Sequence, residues 1–323
     1  MSVTKSRLNK IEISDMVRLA FGEAASIKKL EELKDGFFNT AYMIELSDGR
    51  KTVLKVSPAK EIKVLRYEKN IMNTEVTVMN KLKEDNIQVP KIYYYGKYKT
   101  FLEFFFMEFI EGTPLNKLSS EMTEEQLNKV YKQLGEIVYK FHNIEGKYFG
   151  YISQPEKRFD TWKEAFLFMV KELLEDAADE EVKLPYSYND IYNMIYEKSY
   201  VLDEVKQSSI LHKDLWEGNI FIEEQTNNIT GIIDWERAIY GDSIMDLVCG
   251  FLLDKPSFID KYFGNKLLTY EEKIRVILYN IYLFLIMVIE CTYRKVPESE
   301  FALEMLKKSC KELLSLDSAL NQC

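Results

Sequence analysis

Paired cysteines are missing from this chain. Its four, Cys249, Cys291, Cys310 and Cys323, stand far apart with no Cys-x-x-Cys spacing. That argues against a zinc ribbon or a disulfide framework and for free or buried thiols in a reducing compartment. A basic surplus is missing too, since 43 Lys and Arg face 52 Asp and Glu. Nucleic acid needs a basic face, so it is not an expected partner. The opening residues, MSVTKSRLNKIEIS, hold no apolar segment of the kind a secretory leader carries. No repeat or low-complexity tract appears. The expectation is a cytoplasmic globular protein, monomer or homodimer.

What is present is ample core material. Apolar residues make up 46% of 323, with 21 Tyr and 19 Phe, enough for one large or two modest domains. One apolar run, residues 276–293 (VILYNIYLFLIMVIECTY), reaches the lower limit of a bilayer span. It contains Asn280, Glu290 and three tyrosines, and is read as a helix buried on nearly all sides rather than a membrane segment. Charge is uneven. Residues 1–110 carry 19 Lys and Arg against 15 Asp and Glu, and residues 111–323 carry 24 against 37. An acidic back half suits a cationic small substrate, and also plain solubility.

The patterns divide the chain into a front part, residues 1–110, and a back part, residues 111–323. Residues 40–46 (TAYMIEL) and 51–56 (KTVLKV) predict strands joined by a hairpin at Asp48-Gly49. Residues 61–85 predict one long helix, and residues 91–98 and 101–110 two further strands. Glu111-Gly112-Thr113-Pro114 breaks the pattern. Helices are expected over residues 123–143, 161–178, 189–205 and 242–320, with a β-rich interruption at residues 218–234. The acidic stretch 172–181 (ELLEDAADEE) reads as a solvated helix end or loop.

The chemistry concentrates in residues 210–236, ILHKDLWEGNIFIEEQTNNITGIIDWE. Asn219 enters one strand of a hairpin and Asp234 leaves its antiparallel partner, so both oxygens lie at one end of the ribbon. Asp214 sits on the loop leading in. Hard oxygen ligands suit Mg²⁺ carried by nucleotide phosphates. Phosphoryl transfer also needs a cation on the phosphates and a carboxylate to take the hydroxyl proton. Lys55, embedded in an apolar strand, is costly unless paired. Glu75 is the preferred partner, with Glu68 and Glu61 as competitors.

At these residues the sequence resembles the aminoglycoside phosphotransferase and choline kinase-like family, relatives of the protein kinases. The resemblance runs through Lys55, Glu75, the strand into Glu108-Phe109-Ile110-Glu111-Gly112, His212-x-Asp214-x4-Asn219, Ile233-Asp234-Trp235-Glu236 and Gly241-Asp242-x3-Asp246-Leu247. It implies an α+β, protein kinase-like two-lobed fold, with a small antiparallel-sheet lobe and a larger, mainly helical lobe. It implies Asp214 as catalytic base, Asn219 and Asp234 as Mg²⁺ ligands, and Lys55, held by Glu75, on the α/β-phosphates of ATP or GTP. Glu108, Phe109 and Ile110 would read the purine, with Phe106 and Met107 shaping its pocket. Two features of the chain depart from protein kinases. Trp235 has no Gly after it, and no Ala-Pro-Glu follows. The chain also lacks GxGxxG. In its place stands Asp35-Gly36-Phe37-Phe38-Asn39-Thr40, where backbone N–H groups of Phe38, Asn39 and Thr40, or the Asn39 or Thr40 side chain, would touch phosphate.

The implied activity is transfer of a γ-phosphoryl group to a hydroxyl of a small, cationic, aminoglycoside-like aminosugar, as in antibiotic resistance. The alternatives are a metabolic kinase for choline, homoserine, a thio-sugar or another alcohol, and a pseudokinase scaffold. Of the remaining polar residues, His212 and Asp246 are expected to brace the loop and His142 to pack at a helix end. Lys213 is expected in solvent, Trp216 and Trp235 in packing, and Glu236 near metal, substrate or solvent.

Overall fold

Asn9 caps the first helix, α1 (Lys10–Phe21), in a reciprocal box with Glu12. Ile13, Met16 and Val17, spaced as one helical stripe, bury it on a sheet. The structure is a computed structural model that describes residues 5–6, 8–34 and 38–320, with side chains to residue 316. Five antiparallel strands make that sheet: β1 (Ile27–Leu33), β2 (Thr40–Leu46), β3 (Lys51–Val56), β4 (Ile92–Tyr98) and β5 (Leu102–Glu108), in the order β1-β2-β3-β5-β4. Strand alternation separates its two sides. Ile44, Leu54, Phe104 and Phe106 pack under α1, whereas Val53, Phe105 and Met107 pack against helix α2 (Ile71–Glu84) and the back lobe. Lys55, two residues after Val53, takes the α2 side.

Two front-lobe elements, α1 and β1, lie outside the sequence expectation. A third difference is larger. The helix expected over residues 61–85 begins only at Ile71, after Asn70 adopts a left-handed conformation (φ 59°). The residues ahead of it form a connector that enters the other lobe. Leu65 and Tyr67 join the back lobe's core. The Arg66 N–H donates to Asp176 Oδ2 (3.0 Å), and its guanidinium pairs with Asp176 and Asp179. Glu68, 4% exposed, pairs with the buried Arg294. The acidic stretch 172–181 is therefore not simply solvated. Glu172 and Asp176 are buried because they neutralise Lys157 and Arg66.

The chain crosses to the back lobe at Gly112. Its φ of 132° suits glycine, and a Cβ there would lie 2.7 Å from the Ile222 carbonyl oxygen. The short strand β6 (Thr113–Pro114) follows, then α3 (Leu115–Leu118), α4 (Glu124–His142), β7 (Phe149–Tyr151), β8 (Arg158–Phe159), α5 (Trp162–Asp179) and α6 (Tyr188–Lys198). Strands β9 (Ser209–Leu211), β10 (Ile220–Glu223), β11 (Asn228–Ile232) and β12 (Ile239–Gly241) come next, then α7 (Ser243–Cys249), α8 (Pro256–Phe263), α9 (Tyr270–Arg294) and α10 (Glu300–Leu320). The expected hairpin is β10–β11, with β6 on its outer edge. A second sheet, β8-β7-β12-β9, was not foreseen from the sequence. Helix α9 contains the long apolar run. It is long and apolar enough to cross a membrane, but 72% of its apolar window is buried in the protein. The architecture is thus an antiparallel-sheet front lobe on a mainly helical back lobe.

The connector gives a stability prediction. Arg294→Met strands the Glu68 charge in a dry site and should cost about 3 kcal/mol. Adding Glu68→Gln should recover part of it. Urea unfolding of the two variants against wild type measures both.

Candidate active site

Lys55 brings the lobes together. Its ammonium lies 2.7 and 2.9 Å from the two Glu75 oxygens and 2.6 Å from Asp234 Oδ1. Glu75 wins over its competitors because α2 carries it inward to 0% exposure, while Glu68 is taken by Arg294. Burial works against the Lys55 charge, but Asp234 and Glu75 more than reverse this and raise its pKa. Burial likewise opposes the Asp234 charge, yet Lys55 holds that carboxyl below its usual range. Glu75 is pushed up to about 7, by burial first and by Asp234 after it, against the pull of Lys55. Asp234 itself holds a left-handed backbone (φ 70°, ψ 52°), a strained setting for a non-glycine residue.

The β10–β11 hairpin places Asn219 beside Asp234. The Ile233 N–H donates to the Asn219 carbonyl (3.0 Å), joining the two strand ends. The Asn219 side-chain N–H donates to the Asp214 carbonyl (2.8 Å), which leaves its Oδ1 as the group for a cation. Of the settings expected for Glu236, near metal, near substrate or in solvent, the structure excludes solvent and puts it in this cluster. It is 7% exposed, and one oxygen from each of Glu75, Asp234 and Glu236 lies within 4.8 Å of the others. Burial and Asp234 push the Glu236 carboxyl well above its ordinary range.

Asp214 stands on a braced loop. The His212 Nε2–H donates to the Ile233 carbonyl (2.8 Å), and His212 Nδ1 accepts the Asp214 N–H (3.2 Å), which fixes the tautomer. Asp246 accepts the N–H groups of His212 (2.9 Å) and Lys213 (2.6 Å). His142 is more than packing, because its Nε2 lies 3.0 Å from Asp246 Oδ2 and its Nδ1 2.7 Å from the Tyr262 hydroxyl. The Asp214 carboxylate accepts no hydrogen bond from the described residues. Burial raises its pKa, with Arg237 opposing. Lys213, expected in solvent, is 5% exposed, with its ammonium 5.1 Å from the Tyr282 ring and 5.8 Å from the Tyr67 ring. Burial lowers its pKa to about 8. Trp235 is packed, as expected, but Trp216 is 44% exposed beside a cavity of about 260 Å³ bordered by Phe251, Glu217 and Lys255.

The other expected contacts divide. In the phosphate loop, Asp35, Gly36 and Phe37 lie outside the described residues. Asn39 is buried at 6% and its amide donates to Glu236 Oε2 (2.5 Å), while its own Oδ1 has no partner among the described residues. Thr40 turns its hydroxyl away, to the Ser6 carbonyl (3.0 Å), so its side chain does not point at the cleft. The Phe38 ring lies 4.9 Å from the Arg294 guanidinium. The Glu108 N–H is spent on the Lys91 carbonyl (2.8 Å) and so is not free for a purine. Phe109 and Ile110, beyond the last strand residue, are half-buried. Met107 lies on the inner side of the sheet, but Phe106 packs under α1, 5.0 Å from the Phe21 ring. Beyond Asp214 lie Arg237 and Glu290 (2.8 Å apart), with Tyr67 donating to Glu290. None of these three was foreseen as a site residue. The available signal was a lone carboxylate in an apolar run, Glu290.

The family model described as the phosphotransferase enzyme family (APH) matches residues 29–272. Among solved structures, a protein from Haemophilus somnus 129PT assigned as a fructosamine-3-kinase is 19% identical with a TM-score of 0.69, over 94% of this chain and 96% of that one. A thermostable mutant of aminoglycoside phosphotransferase APH(4)-Ia, in ternary complex with AMP-PNP and hygromycin B, is 15% identical at 0.68, over 94% and 98%. The streptomycin–ATP complex of APH(2'')-IIa is 18% identical at 0.62, over 96% and 97%. No curated protein sequence matches the chain.

The loop brace carries a pH prediction. Burial opposes the Asp246 charge, but His142 and the backbone N–H groups hold the carboxyl below its usual range. Its stabilisation is therefore complete above the unfolded value, about 4, and is lost as pH falls through the lower folded value. Asp246→Asn should cost about 2–4 kcal/mol at pH 7. The gap to wild type should narrow below about pH 4, as followed by urea unfolding across pH.

Proposed function

Because the chain belongs to the phosphotransferase enzyme family, we propose that its acceptor is an aminoglycoside-like aminosugar or a related sugar amine, and its donor ATP or GTP. Asp214 carries this reading: its loop is braced by Asp246 and His212, and its carboxylate accepts no hydrogen bond from the described residues, which supports a role in taking a proton. The acceptor hydroxyl gives its proton to Asp214 as its oxygen bonds to the γ-phosphorus. The bond from that phosphorus to the β–γ bridging oxygen breaks, and the nucleoside diphosphate leaves. Lys55, kept charged by Glu75, lies on the α/β-phosphates, with Asn39 and the backbone of Phe38 and Thr40 near them. Phe109 and Ile110 offer backbone groups to the purine.

Asn219, Asp234 and Glu236 fit a hard divalent cation: they offer oxygen donors, and in the present geometry an ammonium already bridges Asp234 to Glu75. Bound Mg²⁺ would neutralise phosphate charge there. One observation supports a sugar amine. The structural likenesses include a protein bound to hygromycin B, one bound to streptomycin and one assigned as a fructosamine-3-kinase. The last favours a second reading, a metabolic sugar-amine kinase.

Purified protein with ATP or GTP, Mg²⁺ and separate panels of aminoglycosides, ketosamines and amino alcohols tests these readings. The first or second panel should be phosphorylated, and EDTA should stop turnover until Mg²⁺ is restored. Asp214→Asn should lower kcat about 10²–10⁴-fold with little change in nucleotide KM. Nucleotide binding with no transfer to any panel would instead make the chain a scaffold.

A further inference from the structure

Phosphotransfer to a hydroxyl leaves open how the acceptor is held; the following rests on that reading. Tyr67 ties the surroundings of the Asp214 loop together: its ring lies 5.8 Å from the ammonium of Lys213, the residue before Asp214, and 5.7 Å from the Arg237 guanidinium, and its hydroxyl donates to Glu290 on α9. Asp234 belongs to the Lys55 cluster, and His212 is bonded within the loop. Arg237 and Glu290 remain. Their side chains keep 21% and 19% of their surface exposed. The cavity at Trp216 lies along the same loop, but its charged groups are spent on neighbours: Glu217 accepts from the Tyr131 hydroxyl and pairs with Lys255.

The pair is deliberately fixed yet not used up. The Tyr67 hydroxyl donates to Glu290 Oε1, and Arg237 lies 2.8 Å from that same oxygen. Glu290 Oε2 is left without a partner among the described residues. Arg237 makes this one ion pair and lies 5.7 Å from the Tyr67 ring, with no other bond from its guanidinium among the described residues. Tyr67 comes from the front-lobe connector and is 5% exposed, so the connector locks a back-lobe carboxylate in place.

We propose that Arg237 and Glu290 are the acceptor-recognition pair, with Tyr67 as their positioning residue. Glu290 Oε2 accepts from an ammonium or hydroxyl on one side of the reacting hydroxyl, and Arg237 donates to a hydroxyl oxygen on the other. A polyhydroxylated amine satisfies both. A quaternary ammonium alcohol has no N–H for Glu290 and needs an aromatic cage. The rings of Tyr67 and Tyr282 beside the loop are already filled by the Lys213 ammonium.

Steady-state kinetics with an aminoglycoside, a ketosamine and choline as acceptors tests the pair. Glu290→Gln and Arg237→Ala should each raise the sugar-amine KM by about 10–100-fold, the loss of one charge-assisted hydrogen bond, while nucleotide KM stays within about twofold. Tyr67→Phe, which keeps the ring and loses only the hydroxyl, should raise acceptor KM by about 3–10-fold and settles the matter should the other variants not fold. Unchanged acceptor KM in these variants, or choline used as well as a sugar amine by wild type, overturns the recognition pair while leaving phosphotransfer standing. Wild type that binds nucleotide but phosphorylates none of the three overturns the phosphotransfer reading, and the pair with it.

Discussion

An ammonium shared between two carboxylates from different lobes organises this protein. Lys55 is 7% exposed, where a lone lysine would shed its proton. It stays charged because Glu75 and Asp234 hold it within 2.9 Å. Such a cluster adds little net stability, since desolvating three charges offsets most of their attraction. Its value is positional. β3 supplies the lysine, α2 one carboxylate and the exit of the β10–β11 hairpin the other, so the three meet only when both lobes are folded and joined. The strained backbone of Asp234 is held there by the same contacts.

The connector ahead of α2 makes that meeting durable. In a two-lobed fold joined at one crossing, the lobes would be free to open. Here residues 65–68 cross back and bury Leu65 and Tyr67 in the helical core, with Glu68 on Arg294. Since α2 follows directly, the helix that carries Glu75 is anchored to the back lobe at its N-terminus. Its neighbour on that side is the turn Trp235–Arg237, which follows Asp234. A swing of α2 away from Lys55 would have to pull two large apolar side chains into water, at about 1.5–3 kcal/mol each. The glutamate–lysine pair is therefore anchored by the packing of the connector itself.

The parts of this arrangement legible in the sequence were those with short, polar signatures. His212, Asp214, Asn219 and Asp234 fall at fixed spacing around two apolar strands, and hairpin geometry brings their ends together. Lys55 was visible because a charge in an apolar strand demands a partner. The connector was not. Its residues 61–70 are charged and free of Pro and Gly, so they read as helix, and only the left-handed turn at Asn70 and the far-off Arg294 and Asp176 decide otherwise. Strand β1, IKKLEEL, is an edge strand built from helix formers, where pairing with β2 overrides local preference. The Thr40 side chain and Phe106 were misplaced for a simpler reason, since strand alternation puts them on the side away from the cleft.

Net charge is a poor guide to what a site recognises, and the surroundings of Asp214 show why. Thirteen more acidic than basic residues in the back part suggest an anionic pocket. Several of those acids are consumed internally. Asp176 and Glu172 neutralise Arg66 and Lys157, Asp242 neutralises Arg275, and Asp246 braces backbone N–H groups. Asp234 is committed to Lys55, and Glu290 is half committed to Arg237 and Tyr67. If Arg237 and Glu290 hold the acceptor as proposed, it meets one guanidinium beside one carboxylate oxygen, a strongly directional pair. Such a site selects by where donors and acceptors stand around a hydroxyl rather than by total charge. A rigid sugar ring, which fixes those positions at little entropic cost, fits it better than a flexible amino alcohol of the same charge.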